Sequence, residues 1–235
     1  MTQELLNKNY GKLLPIVGED FKEVPLYFSL ADDSEYFALF ADKTQADLQK
    51  AIDKTVASMG KTWSISGYLE KRATVLNKYP QMVSEERFFH LGLDINLPVG
   101  TNLYAPFDCA VELSGYEKDE GDYGGFILLR CKNNDTEFFM LFGHLDSNKL
   151  SAKGTPIKKG EIFAQIGDTS QNGNWYYHTH LQILTPLAYD KGWISKGYCH
   201  ESDLSVISEF CPDPFLFLLA TIPAACLCRQ CVFAF

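Results

Sequence analysis

The stretch "NWYYHTHLQI" (residues 174–183) sets two histidines on either side of one threonine, directly after three consecutive aromatic residues. Side chains alternate across a strand, so His178 and His180 point to one face, about 6.6 Å apart by strand rise. That spacing suits one shared metal ion or one shared substrate. The whole chain holds five histidines, so the concentration of two here directs attention to the segment around them.

That segment, residues 81–190, reads as short strands divided by turns. "RFFHLGLDINL", "NLYAPFDCAVELSGY", "GGFILLRCK", "TEFFMLFGHL", "EIFAQIG" and "HTHLQILT" are β-rich runs, punctuated by "PVGTN", "KDEGDYGG", "KNNDT" and "QNGN". Many short strands at this spacing predict a mainly β domain, an antiparallel sandwich or barrel.

The flanks differ from it. Residues 1–80 read as an α+β extension: "KTQADLQKAIDKTVASM" (43–59) has apolar residues at helical spacing with Gly60 as a stop, while "EVPLYFSLA" and "EYFALFA" read as two strands about a turn at "DDS". Residues 191–235 form an apolar, cysteine-rich tail. Its run from Phe215 to Cys228 is 14 residues with Pro223 inside, short of the roughly 20 that a membrane-spanning helix needs. A packed helix or strand is expected there, and no transmembrane segment.

Composition narrows the function classes. Of the 235 residues, 46% are hydrophobic and 14% aromatic, enough to bury a sizeable core and against a disordered chain. The net charge of -9 argues against an electrostatic grip on nucleic acid or on an anionic membrane. The N-terminus lacks a basic segment followed by an apolar core of about 7 to 15 residues, and the seven cysteines form no even, regular framework. A reducing, cytoplasmic location is the expectation, the alternative being export with the leader already removed. Cys226, Cys228 and Cys231 could bind zinc as thiolates, but no fourth ligand accompanies them.

Four of the five histidines fall in distinctive strings: "HLGLD" (90–94), "GHLD" (143–146) and "HTH" (178–180). Catalytic zinc needs three protein ligands with one position left for water, and His90, Asp94 and one of His178 or His180 would supply them. In a straight strand His90 and Asp94 lie about 13 Å apart, so the chain must bend between them, and Gly92 permits it. Zinc lowers the pKa of bound water to about 7. The two remaining histidines, His144 and one of the HTH pair, can handle protons near neutrality.

These strings in this order, with "APFDCAVELSGY" after the first and "KGEIFAQIG" before the last, resemble the M23 family of zinc metallopeptidases, the lysostaphin and LytM type. The resemblance covers about residues 87–187. It implies one zinc on His90, Asp94 and His180, catalytic roles for His144 and His178, and a barrel-sandwich hybrid with the metal in a groove. It also implies a zinc-dependent metalloendopeptidase acting on peptides, with peptidoglycan stem or bridge peptides as the usual substrates. Thr179 departs from the family's usual leucine, and "GNWYYH" replaces a stretch that commonly ends in proline. Tyr176 and Tyr177 are candidate substrate-binding residues lining the groove, or else core and rim aromatics.

Two rival readings accompany this one. The first is a latent or regulatory zinc module, with residues 1–80 covering the groove. The second is a histidine phosphocarrier, against which Asp94 argues because a carboxylate beside a phosphohistidine is repulsive. An anionic cell wall would repel a chain of this charge, which favours an intracellular peptide or amide substrate.

Overall fold

The computed structural model describes residues 1–222; Cys226, Cys228 and Cys231 lie outside the described residues. Among these there are twelve strands: β1 (Leu26–Tyr27), β2 (Ser64–Ser66), β3 (Phe89–His90), β4 (Leu93–Asn96), β5 (Asn102–Tyr104), β6 (Cys109–Tyr116), β7 (Gly125–Asn133), β8 (Thr136–Leu145), β9 (Pro156–Ile157), β10 (Ile162–Gln165), β11 (Thr179–Leu184) and β12 (Tyr198–Cys199). Eight form one sheet in the order β1-β2-β4-β11-β8-β7-β6-β9, and β5 pairs with β10 and β3 with β12 separately.

The chain is thus largely β, as its strand-and-turn pattern predicts, but the sheet is mixed. β1 and β2 run parallel, whereas the other ladders of this sheet are antiparallel. The exception has a physical origin: parallel neighbours need a long crossover, and the helix Gln45–Ser58 lies between β1 and β2.

That helix matches the periodicity of residues 43–59. Thr44 caps it by accepting from the Asp47 N–H, Leu48, Ile52 and Val56 are buried along one face, and Gly60 follows at φ +65°. "EYFALFA" does not form the expected strand but a helical turn, Phe37–Phe40. Helical spacing lets the Phe37 and Phe40 rings meet edge to face at 5.6 Å, whereas residues three apart on a strand face opposite ways.

The middle of the large sheet is covered on both faces. Leu93, Ile95, Ile127, Leu129, Met140, Phe142, Leu181 and Ile183 join one buried cluster, and Leu128, Phe139, Leu141 and Leu184 join another. Burial on both faces accounts for the near-continuous apolar runs of these strands. The flanks add to the same core: Leu6, Leu13, Ile16 and Val17 enter it from the N-terminal segment, and Phe215 and Leu218 from the helix Pro214–Thr221. No helix among the described residues is long and apolar enough to cross a membrane.

Candidate active site

Strand register brings the three histidine strings together. On β11, His180 sits opposite Asp94 of β4 and opposite Gly143 of β8, so neighbours of the central strand carry the other two strings to the same level. His178 immediately precedes β11, and His144 follows Gly143. His90 arrives from β3, which pairs with β12 rather than with the large sheet.

The bend between His90 and Asp94 falls at Leu91 and Gly92. Its glycine is required by close approach: a Cβ on Gly92 would lie 2.6 Å from His180 Cε1 and 2.6 Å from the Leu181 carbonyl oxygen. His144 adopts φ +63°, uncommon for a residue with a side chain.

His90, Asp94 and His180 each offer one ligand atom to a common point. His90 Nε2 lies 2.9 Å from His180 Nδ1 and 3.1 Å from Asp94 Oδ1, and His180 Nδ1 lies 3.3 Å from the same oxygen. Zinc with donors at about 2.0–2.1 Å in tetrahedral geometry spaces them about 3.3 Å apart, so the triangle is of the right size.

Tautomers decide what the triangle contains. His90 Nδ1 is 2.7 Å from the Gly67 carbonyl, which only accepts, so that nitrogen carries the proton and Nε2 carries a lone pair. Gln182 donates its amide NH2 to the Lys196 carbonyl at 3.2 Å, which turns Gln182 Oε1 toward His180 Nε2 at 3.0 Å. His180 Nε2 therefore holds its proton, and Nδ1 presents a lone pair to the centre. Two lone pairs and a carboxylate oxygen converge with no proton among them, an arrangement that a cation relieves. The oxygen acceptors of the outer N–H groups are of the kind that orients metal-ligating imidazoles.

The other two histidines are fixed in the same manner. His178 Nδ1 donates to the Tyr176 carbonyl and His144 Nδ1 to the Asn172 carbonyl, both at 2.8 Å. Each leaves Nε2 as a base, and the two rings stand 4.3 Å apart between centroids. His178 Nε2 is 3.6 Å from Asp94 Oδ1.

Burial sets the electrostatics. None of the five residues is more than 5% exposed. Burial, helped by the Arg72 cation, lowers His90 to about 4, and burial lowers His178 to about 4. His144 is also held well below its usual value, by burial and by its histidine neighbours. Burial alone would raise the Asp94 carboxyl, but His90 and Arg72 outweigh it and hold it well below the usual carboxylate range.

The two tyrosines of "NWYYH" part company. Tyr176 is buried; its hydroxyl donates to Asp94 Oδ2 at 3.0 Å and its ring stacks on His178 at 4.2 Å. Tyr177 is half-buried against the helix Gln45–Ser58, where its N–H donates to Gln49 Oε1 at 2.5 Å, and it lines a separate hollow with Trp63 and Asn96. Thr179 Oγ1 donates to the Gly143 carbonyl at 3.0 Å, and His200 caps a 3-10 turn at the surface.

Residues not anticipated from sequence complete the site. Arg72, 1% exposed, donates to Asp94 Oδ2 at 2.5 Å and to Glu70 Oε2 at 2.8 Å. In "YLEKRAT" three consecutive charged residues read as a solvated surface, so nothing local marks Glu70 and Arg72. Gln182 did have a signal: alternation from His178 and His180 puts it on their face. The cleft over the histidines is lined by Met82, Arg87, Gly121, Trp175, Ser195 and Tyr198 among others, with about 40 Å³ of room, space for a few waters.

A buried two-histidine, one-carboxylate donor set beside two imidazole bases, on a largely β fold, is a site fit to hold a metal ion. The model of Peptidase family M23 matches residues 88–204, just under half of the chain, so that segment is similar to the peptidases of this family. All five residues lie inside the match; Glu70 and Arg72 lie outside it. A protein of Haemophilus influenzae described as an uncharacterized metalloprotease is 30% identical over 112 residues, covering 46% of this chain and 22% of that protein. The chain thus spans about a fifth of that relative's length. Among solved structures, a zinc-containing peptidase from Vibrio cholerae is 25% identical over 53% of this chain and 34% of its own, with a TM-score of 0.40. The catalytic domain of the antimicrobial peptidase lysostaphin from Staphylococcus simulans is 22% identical over 56% of this chain and 80% of its own, with a TM-score of 0.39.

Proposed function

We propose that this protein is a zinc-dependent metalloendopeptidase, with one zinc per chain on His90, Asp94 and His180 and with His178 and His144 as its proton-handling residues. The observation that carries the reading is the triangle of two imidazole lone pairs and one carboxylate oxygen, with edges of 2.9, 3.1 and 3.3 Å and no proton inside. Zinc there supplies Lewis acidity, which polarises the scissile carbonyl and makes water a nucleophile near neutral pH.

The chain's own residues supply the rest. His178 and His144 rest neutral, because burial opposes their protonated forms, and each keeps its Nε2 lone pair toward the cleft. His178 Nε2, the nearer to the metal-facing oxygen, takes the proton of the attacking water. A neutral His144 with its N–H committed to Asn172 offers no donor to an oxyanion. The proton that His178 removes is passed to His144, whose ring stands 4.3 Å away; His144 Nε2–H then donates a hydrogen bond to the oxyanion and finally gives that proton to the leaving amine, which returns both imidazoles to neutrality.

The substrate class is a peptide. Cell-wall stem or bridge peptides are the first to test, given the family, although the chain's charge of -9 favours a less anionic setting. The sandwich form of the domain and residence in the cytoplasm belong to the same reading; the four described cysteines are free, which supports a reducing compartment.

A specific observation favours a second reading, a latent or regulatory zinc module. His144, His178 and His180 are at most 5% exposed, so a peptide reaches them only if the cleft over them opens further. Elemental analysis together with a screen of muropeptides and glycine-rich peptides separates the readings. One zinc with cleavage supports the enzyme, one zinc without cleavage supports the closed module, and no zinc overturns both.

A further inference from the structure

Two corners of the triangle, His90 and Asp94, are steadied by residues from a segment that the family match does not reach. Gly67 offers its carbonyl to His90 Nδ1 at 2.7 Å and its N–H to Glu70 Oε1 at 2.8 Å. Glu70 Oε1 also accepts from the Tyr27 hydroxyl at 2.9 Å, and Oε2 accepts from the Leu30 N–H at 3.1 Å and from Arg72 Nε and Nη2 at 3.0 and 2.8 Å. Arg72 then spends Nη1 on Asp94 Oδ2, to which Tyr176 also donates. A Cβ on Gly67 would lie 2.7 Å from the Tyr27 hydroxyl, so the chain there has no room for another residue.

Three features of this relay bear on a metal. Asp94 has both donors on Oδ2, which leaves Oδ1 alone to face the histidines and restricts the carboxylate to one ligating oxygen. Two of the three ligands, His90 and Asp94, are oriented by residues 67–72. The charges also balance: a lone buried guanidinium beside Asp94 would repel a dication, and Glu70, tied to Arg72 by two hydrogen bonds, cancels it.

We propose that Arg72 and Glu70 are positioning residues of the metal centre: together they fix Asp94 as a one-oxygen ligand and keep the arginine's charge from opposing the dication, so residues 67–72 are part of the site rather than a cover over it. The inference rests on the zinc reading above. Lysine cannot replace Arg72, since a point ammonium lacks the planar fork that reaches Glu70 and Asp94 at once.

The test uses the full chain with R72K, E70Q and Y176F, each measured in three ways: zinc affinity by competition with a chromogenic chelator, the visible absorption of the cobalt-substituted protein, and melting of the metal-free form. R72K and E70Q should bind zinc about 10–100-fold more weakly, and Y176F about 10-fold more weakly, the usual cost of removing an outer hydrogen bond to a ligand. Their cobalt bands should shift, which a merely structural contact would not cause. Y176F deletes one hydroxyl on the same oxygen and leaves both charges in place, so it decides the matter if R72K does not fold. Folded E70Q and Y176F with wild-type affinity and an unchanged cobalt spectrum would overturn the inference and leave the zinc reading intact. A wild-type chain that takes up no zinc overturns the zinc reading, and this inference with it.

Discussion

The hydroxyl of Thr179 donates to the carbonyl of Gly143 at 3.0 Å, tying the residue between the two β11 histidines to the residue before His144. Thr179 is fully buried and opposes Ile95 of β4, so its departure from the family's leucine exchanges an apolar contact for a link between two of the three strings. T179V keeps the shape and removes the donor. It should cost about 1–2 kcal/mol, the usual penalty for a buried hydrogen bond lost at one end, read from denaturant unfolding. Zinc content should stay unchanged, because the side chain faces away from the triangle.

Gly92 makes a sharper prediction. Its missing Cβ is replaced in space by the His180 ring and the Leu181 carbonyl, each 2.6 Å away. G92A must therefore displace a proposed ligand or the backbone of the central strand. Overpacking of this kind costs about 1–3 kcal/mol, and here zinc affinity should fall with it. A G92A protein with normal melting and normal zinc affinity would show that the bend tolerates a side chain.

How much of this was legible in the sequence depends on how far apart the partners lie. The four site histidines and Asp94 were legible because each sits in a short string and because alternation in "HTHLQ" sets the face. The bend at Gly92 followed from distance alone. The clamp on Asp94 was not legible, since Glu70 and Arg72 reach it only through the pairing of β2 with β4, and buried charges look like surface ones until a partner is known. Whether Tyr176 lined the groove or joined the core could not be read from the sequence; it is buried, with its hydroxyl on Asp94 Oδ2 and its ring stacked on His178. The parallel β1–β2 pair escaped for a similar reason: strand direction is set by the crossover, not by either strand's own residues.

Acid should destabilise the metal-free protein in a defined window. Burial holds His90 and His178 down to about 4, while an unfolded histidine titrates near about 6.5. Between those values the unfolded chain binds protons that the native fold excludes, so stability rises with pH and is lost as pH falls from about 6.5 toward about 4. Denaturant unfolding across that range measures the slope. H178Q should flatten it by about 1.4 kcal/mol per pH unit, one proton's worth, and a slope that H178Q leaves unchanged would refute the assignment.

The division of labour between metal and proton transfer is tested by a pair of substitutions. Asp94 Oδ1 is the oxygen both metal-facing imidazole nitrogens approach, at 3.1 and 3.3 Å, so D94A removes one corner of the triangle. It also leaves Arg72 Nη1 without its carboxylate acceptor, with Glu70 as the remaining ion-pair partner. D94A should therefore lose zinc by elemental analysis and all turnover with it. His144 contributes no atom to the triangle, and its ring meets His178 at 4.3 Å. H144A should keep one zinc per chain and lose about 10²–10⁴-fold in turnover, the usual worth of a positioned acid or base. Zinc retained in D94A, or full turnover in H144A, would show that the roles are assigned to the wrong residues.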